Sequence, residues 1–377
     1  MNLTTLRNLL IVAIVVVQGC SRNLPNEKLE GQVKVTNDTA DIKDRRIEMP
    51  AIPKFSQEFW INATPEILDS LKGKVVLFDF WEYTCVNCIR TLPYLKEWNT
   101  RYAGKGLLII GIHAPEFEFG KKRENVEQAV RNFHLTYPIV LDNDYTIWTL
   151  FGNKYWPAKY IFDRNGILRS YHYGEGNYGE TETTIQKLLR EIDPAAVLPA
   201  VMEPVREEDR PGAVCYRSSP ETYLGFEQGH AGNAEQLREN EIVEFTAPSH
   251  LKEDVFYLDG RWKCEPQSVH LASKDKSPGS ILYNYAAAEV NLVIHPESER
   301  GFKVYVEQDG SPVPPASRGP DIKVESDGKT YLQIDQPRMY MIIKNAKFDR
   351  HSLKLTSNSN SFGAYAFTFT TMCEQPK

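Results

Sequence analysis

The chain has 377 residues, 41% of them hydrophobic, and a formal net charge of −6 at pH 7. This length is enough for about two domains of ordinary size, each with its own core. The negative charge and the lack of a basic cluster argue against nucleic acid or an anionic membrane surface as partners.

The first 20 residues have the features of an export signal. Arg7 supplies the positive end, and residues 9–17 form an apolar segment too short to span a membrane by itself. The following Val17-Gln18-Gly19-Cys20 resembles a bacterial lipobox, which implies that Cys20 is lipidated and becomes the mature N-terminus. A plain signal peptide or an uncleaved anchor is the alternative. We expect a chain anchored in a bacterial membrane that faces the periplasm or the cell exterior.

Residues 21–50 are rich in Asn, Asp, Glu, Lys and Arg and show no sustained periodicity, which predicts a flexible tether. The region 51–193 then alternates strand-like and helix-like segments, the pattern of an α/β fold. An Asn165-Gly166 pair predicts a hairpin between the last two strands. The predicted strands are 74–81, 106–112, 137–141, 160–162 and 167–173, and the predicted helices are 89–102, 125–133, 144–151 and 181–192.

Two cysteines lie where the first of these strands gives way to a helix, in Cys85-Val86-Asn87-Cys88. The unpaired N–H groups and positive dipole end of the helix favour a thiolate at the first cysteine, and the second, one turn on, can attack it. This predicts reversible dithiol–disulfide exchange. The alternatives are an inert structural bridge and a zinc site, but a zinc site needs a second CxxC or an HxxxH at ligand spacing, and the sequence has neither.

Residues 78–88, Phe-Asp-Phe-Trp-Glu-Tyr-Thr-Cys-Val-Asn-Cys, resemble the thioredoxin signature. In that family an acid lies six residues before the first cysteine and a helix-kinking proline lies eight residues after it, and Asp79 and Pro93 occupy these positions. The resemblance implies that Cys85 is the nucleophile and that a buried Asp79 takes the proton from Cys88. A solvent-facing acid at a strand end is the alternative for Asp79.

Trp156-Pro157 lies just before the predicted strand 160–162. On its own a proline there marks the entry to a strand. The resemblance to thioredoxin places Pro157 at the family's cis-proline, packed against the active-site disulfide. It assigns Trp81 and Trp156 to substrate binding, with the backbone of Trp156 pairing with an extended substrate segment.

The composition changes near residue 194. Residues 194–214 contain several prolines and a charged run at 206–210, which predicts a linker. Beyond it, residues 215–377 contain short β-rich runs separated by Asp-Gly, Pro and Asn/Ser clusters, which predicts a β-sandwich in the form of a jelly roll. The runs are 261–270, 280–295, 302–308, 330–334, 339–344, 352–356 and 364–371.

Five segments together resemble the exported C-terminal part of the DipZ family: 81–88, 113–117, 141–144, 155–158 and 219–225. That family joins a cytochrome c biogenesis-type membrane electron carrier to a thioredoxin-like domain and a galactose-binding-like sandwich. The resemblance implies a redox-active Cys85–Cys88 disulfide with no further cofactor or metal, and disulfide-bearing exported proteins as substrates. We expect the electrons to come from a separate membrane carrier of the DsbD/CcdA type.

The resemblance also bears on the sandwich. In galactose-binding-like domains the strands that would carry Cys264 and Cys373 are neighbours, which implies a Cys264–Cys373 disulfide and an unpaired Cys215, although the residues alone leave all three pairings open. Carbohydrate is a candidate ligand of this domain, and a packing or docking module is the alternative.

Three classes of function remain open. The favoured one is a thiol–disulfide oxidoreductase. A peroxiredoxin-like thiol peroxidase is second, because only Thr84 of the usual residues before a peroxidatic cysteine is present. The third is a non-enzymatic sugar- or partner-binding lipoprotein in which the thioredoxin-like part is a scaffold.

Overall fold

The computed structural model describes residues 46–298 and 301–374. The predicted lipid attachment at Cys20 and most of the predicted tether lie outside these residues. Among the described residues, no helix combines the length and the apolar character needed to cross a bilayer.

The first domain is an α/β fold around one six-stranded sheet in the order β1-β4-β3-β2-β5-β6. The central strands β2 and β3 run parallel and are buried along their whole length, as expected for strands covered on both faces by helices. The elements are β1 (Trp60–Ile61), β2 (Val75–Trp81), α1 (Val86–Tyr102), β3 (Leu107–His113), α2 (Arg123–Phe133), β4 (Ile139–Leu141), α3 (Thr146–Phe151), β5 (Ala158–Phe162), β6 (Leu168–Tyr173) and α4 (Tyr178–Ile192).

These bounds follow the predicted ones closely, with one informative difference at α1. The helix begins at Val86, three residues before the predicted start at Ile89. The reason is that Cys85 is its N-cap: the Cys85 sulfur accepts the backbone N–H of Cys88. The first cysteine thus belongs to the helix terminus itself.

The segments on either side of this domain pack against it. The backbones of Ile47 and Met49 form hydrogen bonds with Leu168 and Gly166, so the chain is already attached before residue 51. The predicted linker also contacts the first domain, because the Tyr94 hydroxyl of α1 accepts the N–H of Val205 at 2.6 Å. The predicted linker therefore packs against the first domain and is not a free spacer.

The second domain is an all-β sandwich, as predicted. Its main sheet has the order β15-β16-β13-β17-β12-β10-β11-β18-β8, with β14 added to β13 and β9 added to β10. The first half of β12 pairs with β10 and the second half with β18, so the sheet folds over and encloses its core. The strands are β7 (Val214–Cys215), β8 (Thr222–Tyr223), β9 (Ile242–Phe245), β10 (Phe256–Cys264), β11 (Val269–Leu271), β12 (Gly279–Pro296), β13 (Phe302–Gln308), β14 (Ser311–Pro312), β15 (Ile322–Val324), β16 (Thr330–Ile334), β17 (Arg338–Ser357), β18 (Phe362–Thr370) and β19 (Cys373–Glu374).

The large aromatic side chains of the sandwich fill its core. Trp262, Tyr283, Tyr285 and Tyr340 are all fully buried, so none of them forms a sugar-binding platform at the surface. The runs predicted at 339–344 and 352–356 join into the single strand β17, because a register shift against β12 takes up the polar segment between them.

The predicted Cys264–Cys373 disulfide is wrong. Cys373 is bonded to Cys215, with the two Cα atoms 3.9 Å apart, and Cys264 is a buried free thiol. Two features of the topology explain this. Strand β11 lies between β10, which ends at Cys264, and β18, and the chain beyond β18 forms a separate ribbon in which β19 pairs Cys373 directly with Cys215 of β7.

We expect Cys215→Ser to lower the free energy of unfolding by about 2–4 kcal/mol, because the bond closes a long loop in the unfolded chain. The two cysteines are separated by 158 residues. Denaturant unfolding with and without a reductant, in a Cys85→Ser background that removes the second redox-active pair, measures the effect: reductant should destabilise the protein with Cys215 intact and leave Cys215→Ser unchanged. A variant as stable as the oxidised wild type would contradict the assignment.

The two domains share an apolar interface next to the Cys85-Val86-Asn87-Cys88 segment. The Phe119 ring stacks on His295 at 5.1 Å between centroids and meets the edge of Tyr365 at 4.9 Å. Arg90, two residues after Cys88, reaches the Thr370 hydroxyl and lies 3.9 Å from Glu289. The sandwich is therefore docked on the same end of the first domain as the cysteine pair.

Candidate active site

Cys85 and Cys88 lie where strand β2 meets helix α1, and both are free thiols. Cys85 is half-buried and keeps an exposed face, whereas Cys88 is 1% exposed. The backbone N–H of Cys88 donates to the Cys85 sulfur at 3.2 Å. The structure thus presents an outer, half-buried cysteine and an inner, enclosed one, the arrangement in which an outer cysteine attacks and an inner one resolves.

Asp79 lies on β2, buried under this pair, with 1% of its surface exposed. Neither of its carboxylate oxygens has a hydrogen-bond partner among the described residues. Burial raises the pKa of Asp79 from 3.8 to about 7, against the opposing effect of Lys159. The alternative of a solvent-facing acid is therefore excluded, and the carboxyl titrates where it can exchange protons at neutral pH.

Lys159 faces Asp79 directly across the antiparallel pair of β2 and β5. It is 1% exposed, and its ammonium donates to the carbonyl of Gly174 at 3.3 Å. Burial lowers the pKa of Lys159, while Asp79 and Cys88 act in the opposite direction. The buried Tyr137 lies close to the same groups: burial raises the pKa of its hydroxyl, and the charges of Asp79 and Cys88 add to that rise. The Cys88 thiol is thus enclosed with an acid, a base and a phenol.

Glu82 is a second buried acid beside the dithiol. It is fully buried and accepts both the N–H of Thr84, at 2.6 Å, and the Thr84 hydroxyl. Its other oxygen lies 3.7 Å from Nε2 of the buried His113. Glu82 therefore does not face water, and Thr84 is engaged with it rather than with the Cys85 sulfur.

The loop that carries Trp156 and Pro157 lies on the exposed side of the site. The Trp156–Pro157 peptide bond is cis, as the resemblance to thioredoxin predicts. Trp156 is half-buried and donates from its indole to the carbonyl of Ala114 at 3.1 Å, and the preceding Tyr155 is 47% exposed. These residues form an aromatic surface just before β5, where Tyr155 packs on Tyr173 and Trp156 packs on Trp148.

The predicted role of Trp81 in substrate binding is wrong. Its side chain is 0% exposed and meets the His113 ring edge-on at 5.3 Å, within the core of the first domain. As a strand residue at the end of β2, it points into the helix-covered core rather than towards solvent. A side chain without exposed surface cannot contact a substrate in this conformation.

The charge balance around Cys85 also differs from the expectation of a stabilised thiolate. Burial, followed by the nearby carboxyls of Glu116 and Glu82, raises the pKa of Cys85, although the hydrogen bonds from Cys88 oppose this. The pKa of Cys88 is raised well above its usual value, mainly by burial. The helix terminus thus contributes less than desolvation and the neighbouring acids.

Sequence reasoning missed three residues of this site: Lys159, Tyr137 and Glu116. Lys159 carried a detectable signal, since a lone lysine inside the apolar strand β5 needs a buried partner. The other two come from loops outside the strand β2 and helix α1 that carry the cysteines, and only the tertiary fold brings them near the pair.

Comparisons with known proteins agree with this picture. Residues 51–171 match the AhpC/TSA family, and residues 219–370 match the family described as thioredoxin like C-terminal domain. The thiol-disulfide oxidoreductase YkuV of Bacillus subtilis is 24% identical over 148 residues, which cover 39% of this chain and 99% of YkuV. A solution structure described as a thioredoxin-like protein in the oxidized form is 26% identical, with a TM-score of 0.35, and covers 39% of this chain and 97% of that chain.

Protein DipZ of Mycobacterium tuberculosis is 38% identical over 239 residues, which cover 62% of this chain and 33% of DipZ. The DipZ of Mycobacterium bovis matches equally well, so the chain spans about a third of the length of these relatives. The chain is therefore similar to about a third of the length of the DipZ proteins, and it has an α/β domain with a capped Cys85–Cys88 pair above a buried acid, followed by a β-sandwich.

Proposed function

We propose that the protein is an exported, membrane-anchored thiol–disulfide oxidoreductase that reduces disulfides in extracytoplasmic proteins. The observation that carries the proposal is the asymmetry of the pair, with a half-buried Cys85 at the start of α1 and a fully enclosed Cys88 beside Asp79. A structural bridge has no need of a buried acid with an altered pKa next to its inner sulfur.

Each turnover transfers two electrons from the dithiol to the substrate. The Cys85 thiolate attacks one sulfur of a substrate disulfide, forming a mixed disulfide and releasing the other substrate cysteine as a thiol after protonation. Asp79 takes the proton of Cys88, and the Cys88 thiolate attacks the Cys85 sulfur. The second substrate thiol leaves, and the Cys85–Cys88 disulfide remains.

A dithiol carrier in the membrane, of the DsbD/CcdA type, returns the oxidised pair to the dithiol by the same exchange in reverse. The aromatic surface of Tyr155 and Trp156 suits an extended substrate segment that pairs with the backbone before Pro157. The proposed lipid anchor at Cys20 keeps the enzyme within reach of that carrier.

The direction of electron flow follows from the raised pKa of Cys85. A strong oxidant such as DsbA stabilises the reduced form through its thiolate, whereas here burial and two carboxyls disfavour the thiolate. The dithiol is therefore the form that gives up electrons readily. We expect a reducing enzyme.

The reduction potential of the Cys85–Cys88 couple tests this expectation. We expect a value near that of thioredoxin, about −270 mV, rather than that of DsbA, about −120 mV. Equilibration of the full chain with glutathione or dithiothreitol buffers, read by thiol alkylation, gives the value. A potential close to the DsbA figure would overturn the reductase direction, and failure to reduce insulin disulfides would favour a non-enzymatic binding lipoprotein.

A thiol peroxidase is the weaker candidate, although the AhpC/TSA similarity favours testing it. A peroxidase needs the hydroxyl near its reactive cysteine free to orient the peroxide, and here Thr84 donates to Glu82. We therefore expect hydrogen peroxide to be consumed no faster by the wild type than by Cys85→Ser.

A further inference from the structure

The loop between β3 and α2 carries a carboxyl to the outer cysteine. Glu116 lies in this loop, half-buried, and its charge disfavours the Cys85 thiolate. The loop is fixed on the side of the cis-proline by the Trp156 indole, which donates to the Ala114 carbonyl. Glu116 is therefore two residues from a fixed point of this loop and near enough to Cys85 for its charge to act on the thiol.

The sandwich domain supplies the hydrogen-bond donor to this carboxyl. The hydroxyl of Tyr223 donates to Oε1 of Glu116, and its ring lies 6.4 Å from that of Phe117. Tyr223 is on β8, an edge strand of the sandwich, where it pairs with Ala366 of β18. The contact joins residues 107 positions apart in the sequence and crosses the domain boundary.

The chain next to Tyr223 is closely packed. A Cβ atom on Gly225 would lie 2.2 Å from the backbone carbonyl carbon of Gln267, so the chain just after Tyr223 packs backbone against backbone. The Gln267 side chain in turn accepts the N–H of Glu118 at 3.1 Å. Segment 219–225, one of the five segments that resemble the DipZ family, is thus packed on the Gln267 segment of its own domain, which in turn contacts the loop that carries Glu116.

We propose that Tyr223 of the sandwich is a positioning residue of the dithiol site, which holds the Glu116 carboxyl beside Cys85 and so sets the reactivity of the nucleophilic thiol. The sandwich then has a part in the reaction, in addition to any role in docking. The proposal rests on the proposed function in one respect, that Cys85 is the attacking cysteine.

The electrostatics give the direction of the effect. Burial, with Glu221 and Glu82, raises the pKa of Glu116 to about 8, and the hydrogen bond from Tyr223 opposes that rise. Loss of the hydroxyl should therefore raise the pKa of Glu116 further and leave less negative charge beside Cys85 at a given pH. The Cys85 thiolate then forms at lower pH.

The experiment follows the alkylation rate of Cys85 against pH in the reduced full chain, with peptide mass spectrometry to separate Cys85 from Cys88 and Cys264. We expect Glu116→Gln to lower the midpoint pH of the Cys85 alkylation profile by about one pH unit. Tyr223→Phe should lower this midpoint by a smaller amount. The double variant should shift no further than Glu116→Gln alone, because both changes act through the same carboxyl.

Tyr365→Phe is the matched control, since Tyr365 packs on Phe117 and Phe119 in the same interface without contacting Glu116. It should keep the wild-type midpoint. Glu116→Asp tests the contact from the other side, because a shorter carboxyl withdraws from the Tyr223 hydroxyl, and it should lower the midpoint as Tyr223→Phe does.

The proposal is overturned if Tyr223→Phe and Glu116→Asp both keep the wild-type midpoint, if the double variant shifts additively, or if Tyr365→Phe shifts as much. The titration is independent of any substrate, so it reports on Tyr223 even if insulin reduction fails. A role of Cys88 as the attacking cysteine would appear separately, in the trapping of mixed disulfides.

Discussion

Cys88→Ser is expected to accumulate the protein in mixed disulfides with exported proteins, and Cys85→Ser is expected to accumulate none. Cys85 is the more exposed of the two cysteines, whereas Cys88 is enclosed and lies next to the Cys85 sulfur. Without Cys88, the first exchange proceeds and the second cannot. Without Cys85, disulfide reduction should be lost altogether.

Non-reducing electrophoresis of cell-envelope extracts, with and without dithiothreitol, measures the trapped species. Cys264→Ser is a suitable control because Cys264 is also a buried free thiol but lies in the sandwich core. It should behave as the wild type. Accumulation in Cys85→Ser instead of Cys88→Ser would reverse the two roles.

The sequence predicted the features that depend on local pattern. The buried strands β2 and β3 appear as continuous apolar runs, and the helices have amphipathic periods, so the α/β order and the position of the cysteine pair follow from the residues alone. The motif position of Asp79 favoured burial, and the structure shows that burial.

Features that depend on distant contacts could not be predicted in this way. Whether Cys373 meets Cys215 or Cys264 depends on which strands are neighbours, and the insertion of β11 beside β10 decides it. The helix N-terminus was expected to favour the Cys85 thiolate, but the opposing carboxyl of Glu116 comes from another loop and is held by another domain. The local sequence therefore predicts where the cysteine pair lies, whereas the pKa of Cys85 also depends on contacts from distant segments.

Asp79→Asn is expected to stabilise the folded protein at neutral and alkaline pH. The pKa of Asp79 is 3.8 for an ordinary side chain and about 7 in the folded protein. The folded state binds the Asp79 proton more tightly than the unfolded state does. The contribution of this proton to the stability of the fold is therefore fully present below about pH 3.8 and is lost as the pH rises through about 7. At about 1.36 kcal/mol per pKa unit, ionising the buried carboxyl costs about 4 kcal/mol above pH 7.

A neutral asparagine of the same shape avoids that cost. The gain should be smaller than the full amount because Lys159, directly opposite, loses its neighbouring charge. Denaturant unfolding at pH 5 and pH 8 measures it: the difference between variant and wild type should be larger at pH 8. A variant less stable than the wild type at pH 8 would contradict the buried-acid assignment.

The same substitution should slow the enzyme while stabilising the fold. In the wild type, release of substrate from the mixed disulfide should quicken as the pH rises through about 7, because the Asp79 carboxylate then accepts the proton of Cys88. Asp79→Asn should lose this rise in rate with pH and release substrate about 10²–10⁴-fold more slowly.

Lys159→Met keeps the acid but removes the cation that lowers the pKa of Asp79. It should therefore move the rise in rate to higher pH without abolishing it. Stopped-flow release of a fluorescent thiol from the Cys85 mixed disulfide gives all three profiles, and an unchanged profile in Asp79→Asn would assign the proton of Cys88 to another acceptor.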